Sequence, residues 1–414
     1  MNYQRIVKGI LDIGEAMLKS GAENFRLDDS IYRMCHAYGF KHSDVFAIPS
    51  NIQITVETQE GEFITQIRHI ESTEVNLDRL DYLNDLCRYV CANTPDADEL
   101  AAKFHEVMNR KAQPAWMRYV ATVVGGTAFA VFFGGHWMDA VVAAFVSLVI
   151  AGGGNILSKR EHNLLVYNTL LAFIAEIIIL CCYKMGLGIN HKSIMIGIVM
   201  LLISAMSTTN GIRELLQRDF ISGSINIMNS ILGAAGIAVG TALAMLALYN
   251  IQEADTGLIA NSTIVQLLSC TIGCIAFAVL FKVKGRQVVY SGIGAFFTYA
   301  IYLLAMNIVP SNFFATLMGA IFVAFYAFIM SRVNKAPSTI FLTASVFPLI
   351  PGAALYYVMY GFVIQDFAMV QSQTFALVTT CLAISFGFLI VDVVTRTIME
   401  DLEIAYHIGK DFFK

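Results

Sequence analysis

Glu176 lies deep inside the apolar run LLAFIAEIIILCCY. At a bilayer centre a carboxylate costs about 2.5–3.5 kcal/mol on insertion scales, so it needs a cavity or a partner. Such a group suits proton uptake or contact with a ligand's ammonium. The plainer alternative is a protonated Glu hydrogen-bonded to a neighbouring helix. Asp139 opens another apolar run, where it either caps a helix or joins the same proton chemistry. Asp392 stands one helical turn before Arg396, a spacing that predicts a simple ion pair.

Backbone can do chemistry too. The run from Lys335 to Gly361 is interrupted by Pro348 and Pro351, which lack a backbone donor, and by Gly352. In hydrocarbon an unpaired backbone group is costly, so such a break survives only inside protein or along a cavity. A second apolar run reaches Ser207-Thr208-Thr209-Asn210-Gly211 and then resumes. A half-helix beginning near Gly352 or Gly211 offers bare amides to a carboxylate. Thr208, Thr209, Asn210, Thr343 and Ser345 offer oxygens to an ammonium or hydroxyl. Ser222, Asn226, Asn229 and Ser230 share one helix face, which either glues helices or lines a path.

The elements that must position these residues follow from composition. Of 414 residues 57% are hydrophobic, and mean hydropathy is +0.64, far too apolar for a soluble globular protein. Residues 1–117 nevertheless hold 12 of 27 Lys+Arg and 18 of 31 Asp+Glu. The pattern predicts an acidic α+β head over 1–117, then membrane repeats over 118–256 and 257–414, the second with a short cytoplasmic tail. Helical spacing predicts helices near 6–20, 24–37, 77–91 and 97–110, and alternation predicts strands at 44–48, 52–58 and 63–70.

Ten membrane spans are expected, from runs long enough for a bilayer of about 30 Å: 118–134, 137–156, 163–184, 193–210, 222–249, 258–281, 287–308, 312–331, 338–362 and 370–395. With the head inside, twelve cations fall on inward loops and tail, against Lys184 and Lys192 outside. Both termini are therefore expected in the cytoplasm, with the chain multi-pass in the cytoplasmic (inner) membrane. Ala128-Phe129-Ala130-Val131-Phe132 echoes Ala276-Phe277-Ala278-Val279-Leu280, and Asn210-Gly211 stands where Pro351-Gly352 stands later. Five spans per half would invert the second copy, the architecture of many secondary transporters.

Other classes lack their motifs. No nucleotide-binding GxxxxGK[ST] loop, HExxH or nucleophile elbow is present, and no basic patch suggests nucleic acid. Cys87/Cys91 and Cys270/Cys274 lack further ligands to complete a metal set, so no metal, cofactor or enzymatic activity is expected.

Gly14-Glu15, Ser20-Gly21-Ala22-Glu23, Arg26 and Arg68 resemble the N-terminal region of the threonine/serine exporter family. Phe133-Gly134-Gly135 with Asp139, and Pro348-Leu349-Ile350-Pro351-Gly352, resemble that family's membrane portion. The resemblance covers nearly the whole chain, in the fused form of the family. It implies export of threonine and serine driven by protons, as antiport; the split form is implicated in exporting succinate. The expected substrate site is Thr208, Thr209, Asn210, Gly211, Asn226, Thr343, Pro348, Pro351 and Gly352. Glu176 and Asp139 are the expected proton-coupling residues, and Gly21, Glu23, Arg26 and Arg68 the head's motif. The head would gate the inner mouth or carry contacts of a homo-oligomer. A dicarboxylate exporter and a receptor without flux are the competing readings.

Overall fold

A computed structural model describes residues 2–71, 73–161, 163–188, 190–203, 205–248 and 262–412, with the side chains of 205–206 and 399–412 left aside. The expected boundary at 256/257 between the two membrane halves lies outside the described residues.

The head opens with α1 (Tyr3–Lys19), whose Ile6, Ile10, Ile13 and Met17 recur at helical spacing and are all buried. Asn2 caps it, accepting from the Arg5 amide at 3.2 Å. Gly21, at φ +92°, turns the chain into α2 (Asn24–Ala37). Strands β1 (His42–Ile48), β2 (Asn51–Glu57) and β3 (Phe63–His69) form an antiparallel sheet in the order β1-β2-β3. On the central strand Ile52, Ile54 and Val56 are fully buried, while the residues between them are half-buried. Helices α3 (Leu77–Asn93) and α4 (Ala97–Met108) follow and pack against α1 and each other. Arg68 on β3 reaches back to α1, 2.9 Å from Asp12 and 3.4 Å from Glu15, so this expected motif residue straps sheet to helix.

The membrane body comprises α5 (Ala115–Phe132), α6 (Trp137–Leu157), α7 (Leu164–Lys184), α8 (His191–Leu202), α9 (Ala205–Leu216) and α10 (Phe220–Ala247). After these come α11 (Thr263–Leu280), α12 (Arg286–Ile308), α13 (Asn312–Asn334), α14 (Ser338–Ser345), α15 (Gly352–Ile364) and α16 (Phe367–Phe412). Among the described residues eight helices are long and apolar enough to cross a bilayer alone. Two bent pairs raise the number to ten: α8 with α9, at 57°, and α14 with α15, at 54°.

The second break falls where the prolines predict. Pro348 sits in a 3-10 turn, Phe347–Leu349, and Pro351 precedes the first residue of α15. The first break does not fall at Asn210-Gly211. Backbone turns extended at Ile203, and Thr208, Thr209, Asn210 and Gly211 lie inside α9. Gly211 is a packing residue: a Cβ there would stand 2.8 Å from the Gly223 carbonyl oxygen on α10. An Asn-Gly pair signals a turn in water, but between membrane helices the same glycine allows a close backbone crossing. Gly236 and Gly240 do likewise on α10, facing the Leu165 and Thr169 carbonyls of α7.

The head docks on one end of this bundle. Lys282 meets Glu74 at 2.7 Å and Lys284 meets Asp78 at 2.5 Å. The Leu77 amide donates to the Phe281 carbonyl at 2.9 Å, and Arg88 donates to the Lys335 carbonyl at 3.0 Å. The cations that read as inward-loop charges thus serve partly as partners for the acidic head.

Candidate functional site

Along α9, Ser207, Asn210 and Glu214 are spaced by three and four residues and share one face. That face lines a cavity of about 390 Å³ beneath the head. Its walls bring both breaks together. Met200 to Ile203 come from the end of α8, and Thr343 and Phe347 from the α14 break. Asn226 enters from α10 and donates to the Glu214 carboxylate at 2.7 Å. Gly21, Ala22, Glu23 and Asn24 of the head form the roof. Phe277 and Phe281 add an aromatic wall from the head-side end of α11, and Phe277 lies against Phe347 with ring centroids 4.2 Å apart and planes tilted by 32°.

Glu23 is held from behind. Its carboxylate lies 3.3 Å from Arg26 and 3.3 Å from Arg213, and Arg213 also reaches Asp392 at 3.0 Å. Burial would raise the Glu23 carboxyl, but the two guanidiniums outweigh it and hold it below the usual carboxylate value. Asp392 therefore pairs with Arg213 from another helix, not with Arg396. Arg26 continues the chain to Ser338 at the start of α14, at 2.5 Å.

Of the expected substrate residues, this cavity gathers Asn210, Asn226 and Thr343, and it adds Gly21 and Glu23 from the head motif. Thr208 and Thr209 are buried in packing, with Thr209 3.9 Å from the Cys381 sulfur. Gly211 packs against α10, while Pro348, Pro351 and Gly352 shape the break without lining the cavity. Sequence reasoning missed Glu214, because Arg213 and Glu214 read as charges beyond the end of a span. The signal available was their helical phase with Ser207 and Asn210.

Glu176 is fully buried and lines a second cavity, of about 420 Å³, with His191, Lys192, Tyr356, Tyr357 and Tyr360. This cavity lies at the other end of α8, which contributes His191, Lys192, Met195 and Ile196 here and Met200 to Leu202 to the first. Asp139 belongs to neither. It accepts from the His136 amide at 2.8 Å and the Asn190 amide at 3.1 Å, capping α6 and tying down the loop before α8.

Among the described residues, eight membrane-long helices and two bent helix pairs that meet at a polar cavity define a polytopic membrane protein. Two models of threonine/serine exporters match the chain, one over residues 8–249 and one over 266–394. The chain belongs to the threonine/serine exporter family, whose members are transporters and not enzymes. It is 21% identical over 382 residues to a Mycobacterium tuberculosis protein named "Probable threonine/serine exporter", covering 88% of this chain and 72% of that one. It is 22% identical over 367 residues to the threonine/serine exporter of Corynebacterium glutamicum, covering 84% and 74%. No solved structure matches it.

Proposed function

We propose that the protein exports small polar amino acids such as threonine and serine across the cytoplasmic membrane. The observation that carries this is the charge of the cavity under the head. Among the described residues lining it are two carboxylates, Glu23 and Glu214, and no Lys or Arg; Glu23 is already paired with Arg26 and Arg213 behind the wall, which leaves Glu214 as the counter-charge. A substrate ammonium finds a counter-charge there, whereas a dicarboxylate meets repulsion. Asn210, Asn226 and Thr343 supply neutral donors and acceptors for the substrate's carboxylate and hydroxyl. This favours a zwitterionic amino acid over succinate as cargo.

Substrate enters from the head side, which is the cytoplasmic side in this reading, with both termini on it. Glu176 takes up protons through the second cavity and couples their inward movement to export. The halves act as inverted repeats. Each has three straight helices, one bent pair and one long final helix. Phe129 and Phe277, equivalent in the two echoing runs, meet edge to face with centroids 5.4 Å apart, as residues beside a pseudo-two-fold axis do. The division into a head over 1–117 and two membrane repeats is part of the same proposal.

Counterflow in proteoliposomes tests the cargo. Vesicles loaded with unlabelled threonine should take up labelled threonine and serine but not labelled succinate, and Glu214→Gln should slow the uptake roughly ten- to hundredfold. Succinate exchange that survives Glu214→Gln would overturn the assignment.

A further inference from the structure

Beside the capped cavity, and sharing Ala22 with it, lies a larger cleft of about 840 Å³ between the head and the membrane body. Five cations line it. Arg26, Arg33 and Arg88 come from the head, and Arg332 and Lys335 from the end of α13. Only Asp29 and Asp392 oppose them. Arg26 is engaged by Glu23 and Ser338, and Arg33 by Asp29 at 2.9 Å. Arg88 donates to the Lys335 carbonyl, and Asp85 lies 3.9 Å from it. Arg332 lies 5.2 Å over the Phe328 ring. Neither Arg332 nor Lys335 has an ion-pair partner among the described residues.

A preference for cations on inward loops accounts for Arg332 and Lys335. It does not account for the head's side of the cleft. The head carries more acid than base, and elsewhere it meets basic loops with carboxylates, Glu74 on Lys282 and Asp78 on Lys284. Around Lys282 and Lys284 the head also brings Arg79, Arg110 and Lys111, but Glu74 and Asp78 pair with those two lysines; here three arginines face Arg332 and Lys335, which no carboxylate pairs among the described residues. Facing like charges repel unless an anion sits between them. The first turn of α14 opens on the same cleft at Pro337, Ser338 and Thr339, with no side chain capping it, so its leading amides add anion-binding groups.

We propose that this cleft binds a phosphate-bearing anion that bridges the head to the start of α14. Four of its five cations are arginines, whose planar forks pair with phosphate oxygens two at a time. The excess positive charge calls for a ligand of net negative charge. A zwitterionic amino acid has no net charge, so the ligand is not the proposed cargo. Either a lipid headgroup at the bilayer rim or a soluble phosphate ester supplies this chemistry.

The full-length protein in phosphatidylcholine nanodiscs is titrated with inorganic pyrophosphate. In a parallel arm phosphatidylglycerol is added to the disc and the thermal midpoint is followed. Saturable pyrophosphate binding, or a midpoint raised by phosphatidylglycerol, is expected in wild type; the first identifies a soluble phosphate and the second a headgroup. Arg332→Gln with Lys335→Gln, both exposed, should weaken the response roughly tenfold or more. Should that pair fail to fold, Arg33→Gln on the opposite wall makes the same test. The proposal is overturned by no response in either arm, by an undiminished response in a folded variant, or by succinate binding as tightly as pyrophosphate.

Discussion

Glu23 of the head and Arg213 of α9 stand 3.3 Å apart, and the same guanidinium reaches Asp392 of α16 at 3.0 Å. One side chain therefore joins the roof of the cavity to two membrane helices. The Arg213 side chain is only 10% exposed, so its carboxylate partner is needed. Half-exposed Asp392 contributes less than Glu23. Removing one partner of a buried pair costs about 3–5 kcal/mol. Arg213→Ala should lower the unfolding midpoint sharply, and Glu23→Gln with Arg213→Gln should recover part of the loss. A double-mutant cycle showing additive effects would refute the coupling.

Glu214 binds the substrate ammonium in the proposed reading, held in place by Asn226. Losing one charged hydrogen bond costs about 1.5–3 kcal/mol, which corresponds to a roughly ten- to hundredfold fall in threonine counterflow for Glu214→Gln. Asn226→Ala should give a smaller fall, because the carboxylate stays but loses its orientation. Wild-type exchange rates in Glu214→Gln would remove Glu214 from the site.

In the proposed reading Glu176 serves proton coupling and not exchange itself. With Glu176→Gln, counterflow without a gradient should persist, while accumulation driven by an imposed pH gradient should vanish. The two assays on the same vesicles decide the point. Unchanged proton-driven export in the variant would leave Glu176 a packing residue.

Asp28 gives the head a pH dependence of defined sign. Burial, with Asp219 nearby, raises its carboxyl from 3.8 to about 7. The folded state thus binds this proton more tightly than the unfolded state, so its contribution makes stability fall as pH rises from about 4 to 7. Glu23 shifts the opposite way, below its ordinary 4.5, and its contribution is retained above that pH and lost on further acidification. The windows hardly overlap. Asp28→Asn should flatten the slope of unfolding midpoint against pH between 5 and 7, and an unaltered slope would assign it to other groups.

Asn210 and Gly211 are neighbours with different jobs. A Cβ at Gly211 would meet the Gly223 carbonyl and the Ile227 side chain, both at 2.8 Å. Gly211→Ala should destabilise by about 1–3 kcal/mol, with export falling alongside it. Asn210→Ala should reduce export at unchanged stability. Parallel melting curves and counterflow rates distinguish the two.

Much of the architecture was legible in the chain itself. Helices and strands of the head follow from local periodicity, and 24–37 and 63–69 were read almost to the residue. The membrane helices follow from length and apolarity, and the second break from two prolines that no helix interior tolerates. These are local properties, decided by a residue and its near neighbours. Position in space is not local. Asn210-Gly211 reads as a turn until α10 packs against it, and Asp392 reads as the partner of Arg396 until Arg213 arrives from a helix 179 residues away in sequence. Glu214 reads as a loop charge until the head covers it. Close packing and burial raise the value of a distant partner above that of an exposed neighbour. Only the tertiary structure therefore decided which polar residues meet beneath the head.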